Sequence, residues 1–307
     1  MSQKPLAKGF VLGCLAFSLW GVLPLYWRLL SGLDPLHILS FRIIMSLFLV
    51  VIILLVSKNR AWFDIFKDPV KAAFMILTAI TLCFNWGLYI WAVNRGHTLD
   101  ASLGYYINPL VSVLLGLIFY RERLSPLQWI AVAFAAFGVL IITIFSGSMP
   151  WTSLALAVSF GIYGLLKKKT PLSALESLGA ETLVSFPIAI ILLCFGFGGA
   201  QESSLHPAFL GFRGLSYLSG LPSYTWIFIF LCGIVSALPL YLFAQSAKLL
   251  PLSALGFAQF ISPTLQFFIG IFIFNESFPS HHFAAFVFIW AAVVIYVISL
   301  RPRTVKK

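Results

Sequence analysis

The chain is a succession of long apolar stretches separated by short polar punctuation, and the pattern holds from one end to the other. Runs such as Ile43 to Val56 and Phe283 to Leu300 are apolar on every side. They show neither the alternation of a half-buried strand nor the single stripe of a helix packed on a soluble core. A helix needs about 20 such residues to cross the hydrocarbon of a bilayer. The hydropathy predicts ten spans, at residues 9 to 29, 36 to 56, 72 to 94, 98 to 119, 127 to 145, 150 to 166, 173 to 197, 223 to 247, 252 to 274 and 281 to 300. Transmembrane strands would instead be segments of roughly 10 residues with apolar and polar positions alternating. The predicted fold class is therefore an all-α polytopic membrane protein. The sixth span is short and holds Gly161 and Gly164, while Pro109 interrupts the hydrogen-bond ladder of the fourth.

Composition agrees with this pattern, because 61% of the 307 residues are hydrophobic and only 9% are charged. A soluble domain has too little polar surface at that ratio to stay dispersed. The first apolar run lacks a small-residue cleavage site, so it reads as a retained helix rather than a signal peptide. The net charge of +11 is no sign of nucleic-acid binding, since the basic residues cluster at the ends of apolar runs. One side of the predicted bundle receives only Arg28, Arg95 and Arg213, Arg42 lies inside the second span, and the rest of the 20 Lys and Arg residues fall on the other side. Positive residues stay inside, which predicts both termini in the cytoplasm of a bacterial inner membrane. The longest connection, 197 to 222, falls outside and carries Phe209, Phe212 and Tyr217; it either rests on the membrane surface or is a loop of no special function.

The chain also repeats itself. Tyr89-x-x-Ala92 leads through Ser102-Leu103-Gly104 to Pro109, Gly116 and Glu122, and Tyr241-x-x-Ala244 leads through Ala254-Leu255-Gly256 to Pro263, Gly270 and Glu276. A looser match sets Ser18-Leu19-Trp20 against Ser159-Phe160-Gly161 and Arg42 against Glu181. Five spans per copy is an odd number, so the second copy enters the membrane from the opposite face. Inverted repeats of this kind place a site near the midplane, where the halves meet.

These stretches carry a resemblance. Asn85-Trp86 with Tyr89-Ile90-Trp91-Ala92-Val93-Asn94, the run from Ala101 to Val111, and Leu255-Gly256-Phe257 followed by Pro263-Thr264 resemble the EamA-type permeases of the RarD group, within the drug/metabolite transporter superfamily. The resemblance covers nearly the whole chain. It implies two inverted five-helix repeats, residues 1–146 and 147–307, around a central cavity, and transport of small organic molecules such as drugs or amino-acid-like metabolites. The chain departs from the family pattern at Phe274-Asn275-Glu276, where Tyr-Gly-Glu is usual, and at Phe260, where Tyr is common.

Arg42 and Glu181 are the first candidates for chemistry, because an ionised group inside an apolar span normally faces a cavity or a partner. Arg42 would anchor an anionic group of a substrate, and Glu181 would couple transport to protons or anchor a cation; alternatively each is a structural ion pair or a side chain that snorkels to the interface. Asn85, Trp86, Tyr89, Tyr105, Tyr106 and Asn108 gather on the third and fourth spans as walls of a polar slot, which Trp20, Tyr163, Gln259 and Gln266 would complete. Aromatics at these places also serve helix contacts and membrane interfaces. Pro109 and Pro263 are candidate hinges. Gly104, Gly116, Gly256 and Gly270 permit close helix packing, and Glu122 is expected either as a solvated helix end or, within a charged cluster with Arg121 and Arg123, to cap the fourth span or gate the cavity.

Cys14, Cys83, Cys194 and Cys232 lie inside apolar runs without a CxxC pair, and His281-His282 alone is no metal site, so neither metal nor cofactor is expected. HExxH, GxSxG and P-loop motifs are absent from the sequence, which argues against an intramembrane enzyme and against direct use of ATP. The function expected is a secondary transporter driven by a proton or solute gradient, working in the lipid bilayer on a small-molecule substrate by alternating access. A channel or a non-transporting membrane factor is the alternative.

Overall fold

Proline and short polar side chains at the ends of the apolar runs decide where the helices begin. A computed structural model describes residues 3–94, 98–145, 151–195, 220–275 and 280–300, and among them there are helices and turns but no strand. The helices are α1 (Gln3–Arg28), α2 (Pro35–Val56), the short α3 (Ala61–Asp64), α4 (Pro69–Asn94), α5 (Thr98–Phe119), α6 (Pro126–Phe145), α7 (Trp151–Lys169), α8 (Ala174–Phe195), α9 (Ser223–Leu249), α10 (Leu252–Gln259), α11 (Ile261–Phe272) and α12 (Ser280–Ser299). Arg95, His97, Arg213, Glu276, the Arg and Lys residues after Leu300, most of the 197–222 connection, and the side chains of Ser102, His281 and His282 lie outside what is described.

Caps follow from the local sequence. Asp34 accepts the Leu36 amide at 2.7 Å ahead of Pro35, the first residue of α2. Asp68 does the same for α4 with the amides of Val70 and Lys71, and these contacts, chiefly the one from the Lys71 side chain, hold its carboxyl below the usual range. Reciprocal capping boxes open α6 and α8: Ser125 with Gln128, and Ser173 with Glu176.

Seven described helical stretches are long and apolar enough to cross a membrane, one of them the combined segment Leu252–Phe272, and two shorter apolar stretches, Leu103–Phe119 and Phe283–Ser299, accompany them. Large apolar side chains such as Phe48, Ile144 and Phe230 cover the outer surface, as expected where the solvent is lipid. Helices α2 and α8, α5 and α10, and α6 and α12 pack directly on one another. Helix α1 lies against α9, α10 and α11, while α7 lies against α4 and α5. Small residues permit this closeness. A Cβ on Gly233 of α9 would stand 2.5 Å from the Met45 carbonyl oxygen of α2, and one on Gly256 of α10 would stand 2.7 Å from the Pro109 carbonyl oxygen of α5.

The two candidate hinges differ. Helix α5 continues through Pro109, whereas the ninth predicted span breaks at Phe260, between α10 and α11. Pro263 has no N–H to offer the Gln259 carbonyl one turn earlier, so the interruption falls upstream of the proline. Beyond the break, α11 ends at Phe272 and Asn275 follows it with φ 53°, while Arg121 after α5 has φ 50°. Asn is among the few residues other than Gly that adopt this left-handed conformation readily, which accounts for its place where the family usually has Gly.

Glu122 does not cap its own helix. Its carboxylate accepts hydrogen bonds from the Leu252 amide (2.6 Å), the Ser253 amide (3.1 Å) and the Ser253 hydroxyl (2.7 Å), and so caps α10 in the other part of the chain. The side chain passes beside Gly116, where a Cβ would come within 2.7 Å of Oε2. Nearby, Lys168 Nζ donates to the carbonyls of Ala247 and Leu250 at the end of α9, and Lys248 Nζ donates to the Leu172 carbonyl. A carboxylate at a helix start and ammonium groups at helix ends suit the backbone dipoles. Glu122→Ala should lower stability by about 1–2 kcal/mol, as loss of an N-cap does, read as a lower melting temperature in detergent. Arg123→Ala, at an exposed position next to it, should leave the melting temperature unchanged.

Candidate functional site

Arg42 lies in the third turn of α2 and points into the bundle. Its guanidinium carbon sits 4.8 Å from the ring centroid of Trp27 and 4.5 Å from that of Trp86, so two indoles hold the cation. Arg42 Nε donates to Ser236 Oγ of α9 at 3.1 Å. Among the described residues no carboxylate pairs with Arg42. The phenols of Tyr89 and Tyr105 lie within electrostatic reach of it, and their rings stand 5.8 Å apart. Both tyrosines keep more than a third of their surface (37% and 36%) while protein atoms surround them closely. A side chain that is both exposed and surrounded lines a cleft rather than a lipid-facing wall.

Behind Arg42 is a small cavity of about 10 Å3, lined by residues that include Ser46, Trp86, Glu181, Thr182 and Ser185. Its size suits about one water. Arg42 and Glu181, matched on sequence, therefore border one space. Glu181 is not alone there: Lys167 Nζ donates to its Oε1 at 2.8 Å, and Tyr163 Oη donates to its Oε2 at 3.2 Å. Lys167 also donates to Ser177 Oγ at 2.6 Å. Lys167 and Glu181 are both buried. Lys167, counted on sequence among the basic residues of one membrane side, is thus buried rather than water-facing, because it meets Glu181 of α8. The spacing carried the signal: Lys167 follows Tyr163 by four residues and Glu181 follows Ser177 by four, so each pair shares one helix face.

The other residues of the predicted slot fall into separate places. Asn85 is buried and donates to the Leu156 carbonyl and to Ser159 Oγ, both at 2.9 Å, which ties α4 to α7. Asn108 and Gln259 meet through Ser112, whose hydroxyl donates to Asn108 Oδ1 at 3.5 Å and accepts from Gln259 Nε2 at 3.3 Å. Gln259 Oε1 is buried with no hydrogen-bond partner among the described residues. Gln266 Nε2 donates to the Trp20 carbonyl at 3.3 Å. The Trp20 ring packs on Phe17, Phe160 and Phe243, and Tyr163 stacks on Phe243 at 5.8 Å. Tyr106 turns to Phe286 of α12. Trp27, Ser236, Lys167 and Ser177 belong to the ionic region although sequence patterns did not single them out.

Breaking one member of a buried ion pair leaves an uncompensated charge at a cost of about 3–5 kcal/mol, whereas replacing both with apolar groups of similar size is close to neutral. Lys167→Met and Glu181→Leu should therefore each lower the melting temperature of the purified protein more than the double variant does. Additive losses in a double-mutant cycle would show that the two side chains are not coupled.

Comparison with known proteins gives this arrangement a family. Residues 7–144 match the model of the EamA-like transporter family. The chain is 41% identical to the uncharacterized transporter YojE of Bacillus subtilis, over 97% of this chain and 96% of that one. It is 39% identical to protein RarD of Salmonella typhimurium, over 97% of each. It is also 31% identical to chloramphenicol-sensitive protein RarD of Pseudomonas aeruginosa, over 94% of this chain and 93% of that one. A solved crystal structure aligns with 95% of this chain and 97% of its own at a TM-score of 0.69 and 15% identity, a likeness of fold alone. Long apolar helices, ionic side chains held between them and matches along nearly its full length place the chain among the EamA-type transporters of the RarD group, in the drug/metabolite transporter superfamily, as an integral membrane protein.

Proposed function

We propose that the chain is a secondary transporter that carries small organic solutes across the bacterial inner membrane by alternating access, with residues 1–146 and 147–307 as inverted halves. The observation that carries this reading is the pattern of helix contacts. Exchange α1 with α7, α2 with α8, α4 with α9, α5 with α10 and α11, and α6 with α12. The pairs α2 with α8, α5 with α10 and α6 with α12 map onto themselves. The contact of α1 with α9 becomes that of α7 with α4, and the contact of α2 with α9 becomes that of α8 with α4. Such a molecule has two equivalent ways to close, which alternating access requires.

The cleft at Arg42, Tyr89 and Tyr105 lies toward the end of the bundle where α1 finishes and α2 starts. The opposite end is sealed by the contacts of Glu122, Lys168 and Lys248. It also carries the Lys and Arg excess, as at Lys58, Lys71, Arg121 and Arg123, so the positive-inside rule favours a cytoplasmic seal, an outward cleft and cytoplasmic termini. Trp20, Arg42, Asn85, Trp86, Tyr89, Tyr105, Asn108, Tyr163, Glu181, Gln259 and Gln266 border the path between them, with Pro109 and Pro263 as its hinges. The polar groups serve binding and helix contact rather than catalysis, in line with relatives named as transporters. Gradient drive would act through the Lys167–Glu181 pair.

Reconstitution in liposomes tests this proposal. Uptake of radiolabelled chloramphenicol or amino acids should saturate and show counterflow, and Trp86→Ala and Asn108→Ala should raise the KM several-fold without reducing insertion. A leak that never saturates would mark a channel, and unchanged KM in both variants would remove these residues from the path. Glu181→Gln should weaken proton-driven accumulation; full accumulation at every pH would take the coupling role from this residue.

A further inference from the structure

Charge in the ionic region does not balance. Lys167 cancels Glu181 inside the bundle, and Arg42 remains beside the same cavity as a cation with no carboxylate partner among the described residues. A lone charge surrounded by hydrocarbon is costly, and the two indoles offset only part of that cost. Among the described residues the guanidinium has one acceptor, Ser236 Oγ, which takes the Nε hydrogen bond. The terminal amines are left to whatever enters the cleft. Their planar fork fits two oxygens of a carboxylate. One cation neutralises one negative charge, so a dianion would carry an uncompensated charge into the bundle. The rings of Tyr89 and Tyr105, 5.8 Å apart and tilted by 59°, add phenol hydroxyls and apolar ring surface within electrostatic reach of Arg42.

We infer that Arg42, clamped between Trp27 and Trp86, binds the carboxylate of a small organic monoanion whose apolar body rests against Tyr89 and Tyr105. This names a substrate class and rests on the transporter reading above. Lys167 has a positioning role here: by neutralising Glu181 it keeps the cleft selective for anions.

Binding is measured by thermal shift and tryptophan fluorescence on the full chain in detergent, with benzoate, benzamide and benzylamine as probes of nearly equal shape and different charge. Benzoate should bind at least about tenfold more tightly than either of the others, on the scale of a charge-assisted hydrogen bond. Arg42→Gln should remove that preference, and Arg42→Lys should keep part of it. The inference is overturned if benzoate does not bind, if benzamide or benzylamine binds equally well, or if Arg42→Gln retains the preference. Should a variant fail to fold, the wild-type comparison of the three probes decides alone. Benzoate binding in detergent without counterflow in liposomes would sink the transporter reading and leave this site standing, whereas counterflow of a neutral solute with no benzoate preference would do the reverse.

Discussion

Hydrocarbon offers no hydrogen-bond partner, and that constraint decides where the polar side chains of this chain sit. Side-chain donors on one helix meet acceptors on another: Ser246 of α9 donates to the Gly9 carbonyl, Ser46 of α2 to the Gly233 carbonyl, Asn85 of α4 to the Leu156 carbonyl and Gln266 of α11 to the Trp20 carbonyl. Each bond joins a helix of the first 146 residues to one of the rest. Polar chemistry is thus drawn to the surface where the two parts meet, while large apolar side chains such as Phe48, Ile144 and Phe230 face outward. The same constraint makes Gln259 conspicuous, because its Oε1 is a buried acceptor that no described donor reaches. An acceptor of this kind, in the helix that lies against α5, is a place where water or solute gains a hydrogen bond on arrival.

Charge obeys the constraint differently in the two parts. In α7 and α8 the buried Lys167 and Glu181 satisfy each other and use Ser177 and Tyr163 for their remaining contacts. In α2 the cation has aromatic faces and one serine hydroxyl. A cation held mainly by π faces meets no carboxylate among the described residues. The two arrangements border one small cavity, so a change in either is felt electrostatically by the other at the short range that a low-dielectric interior allows.

Much of the architecture was legible because the membrane writes it in long apolar runs. Helix starts could be read at Asp34-Pro35, at Ser125 with Gln128 and at Ser173 with Glu176, since these caps are local. The site was legible in part. Arg42 and Glu181 stood out as charges inside spans, and they do border one space. Lys167 did not stand out, because a lysine at the end of an apolar run has two fates, to reach water or to fold back. Only the partner across the bundle selects between them. Asn85 was visible as a buried amide, but its use in tying α4 to α7 depends on which carbonyl lies opposite, and that is set by tertiary packing. Trp27 was unremarkable in sequence for the same reason: its value lies in facing Arg42. Glu122 was expected at a helix exit, and its use as the cap of α10 was not legible because it depends on which helix start tertiary packing brings beside it.

The two prolines carry the last step. Pro109 and Pro263 are matched by the repeat, yet α5 runs on through the first while the second is preceded by a break at Phe260. The missing N–H is the same in both cases, so the difference comes from what surrounds each helix. The start of α10 is fixed by Glu122 and by Ser253, which also accepts a hydrogen bond from Tyr296 at 3.0 Å. Gly256 presses against the Pro109 carbonyl oxygen. With α10 held on both sides, the bend in this span is taken up at its weakest rung, the one Pro263 leaves open. If the two halves exchange roles during transport, the straight and the broken helix exchange with them. Each end of the bundle is then closed by whichever helix is bent, and the carboxylate that caps the bent helix is the contact that must let go first.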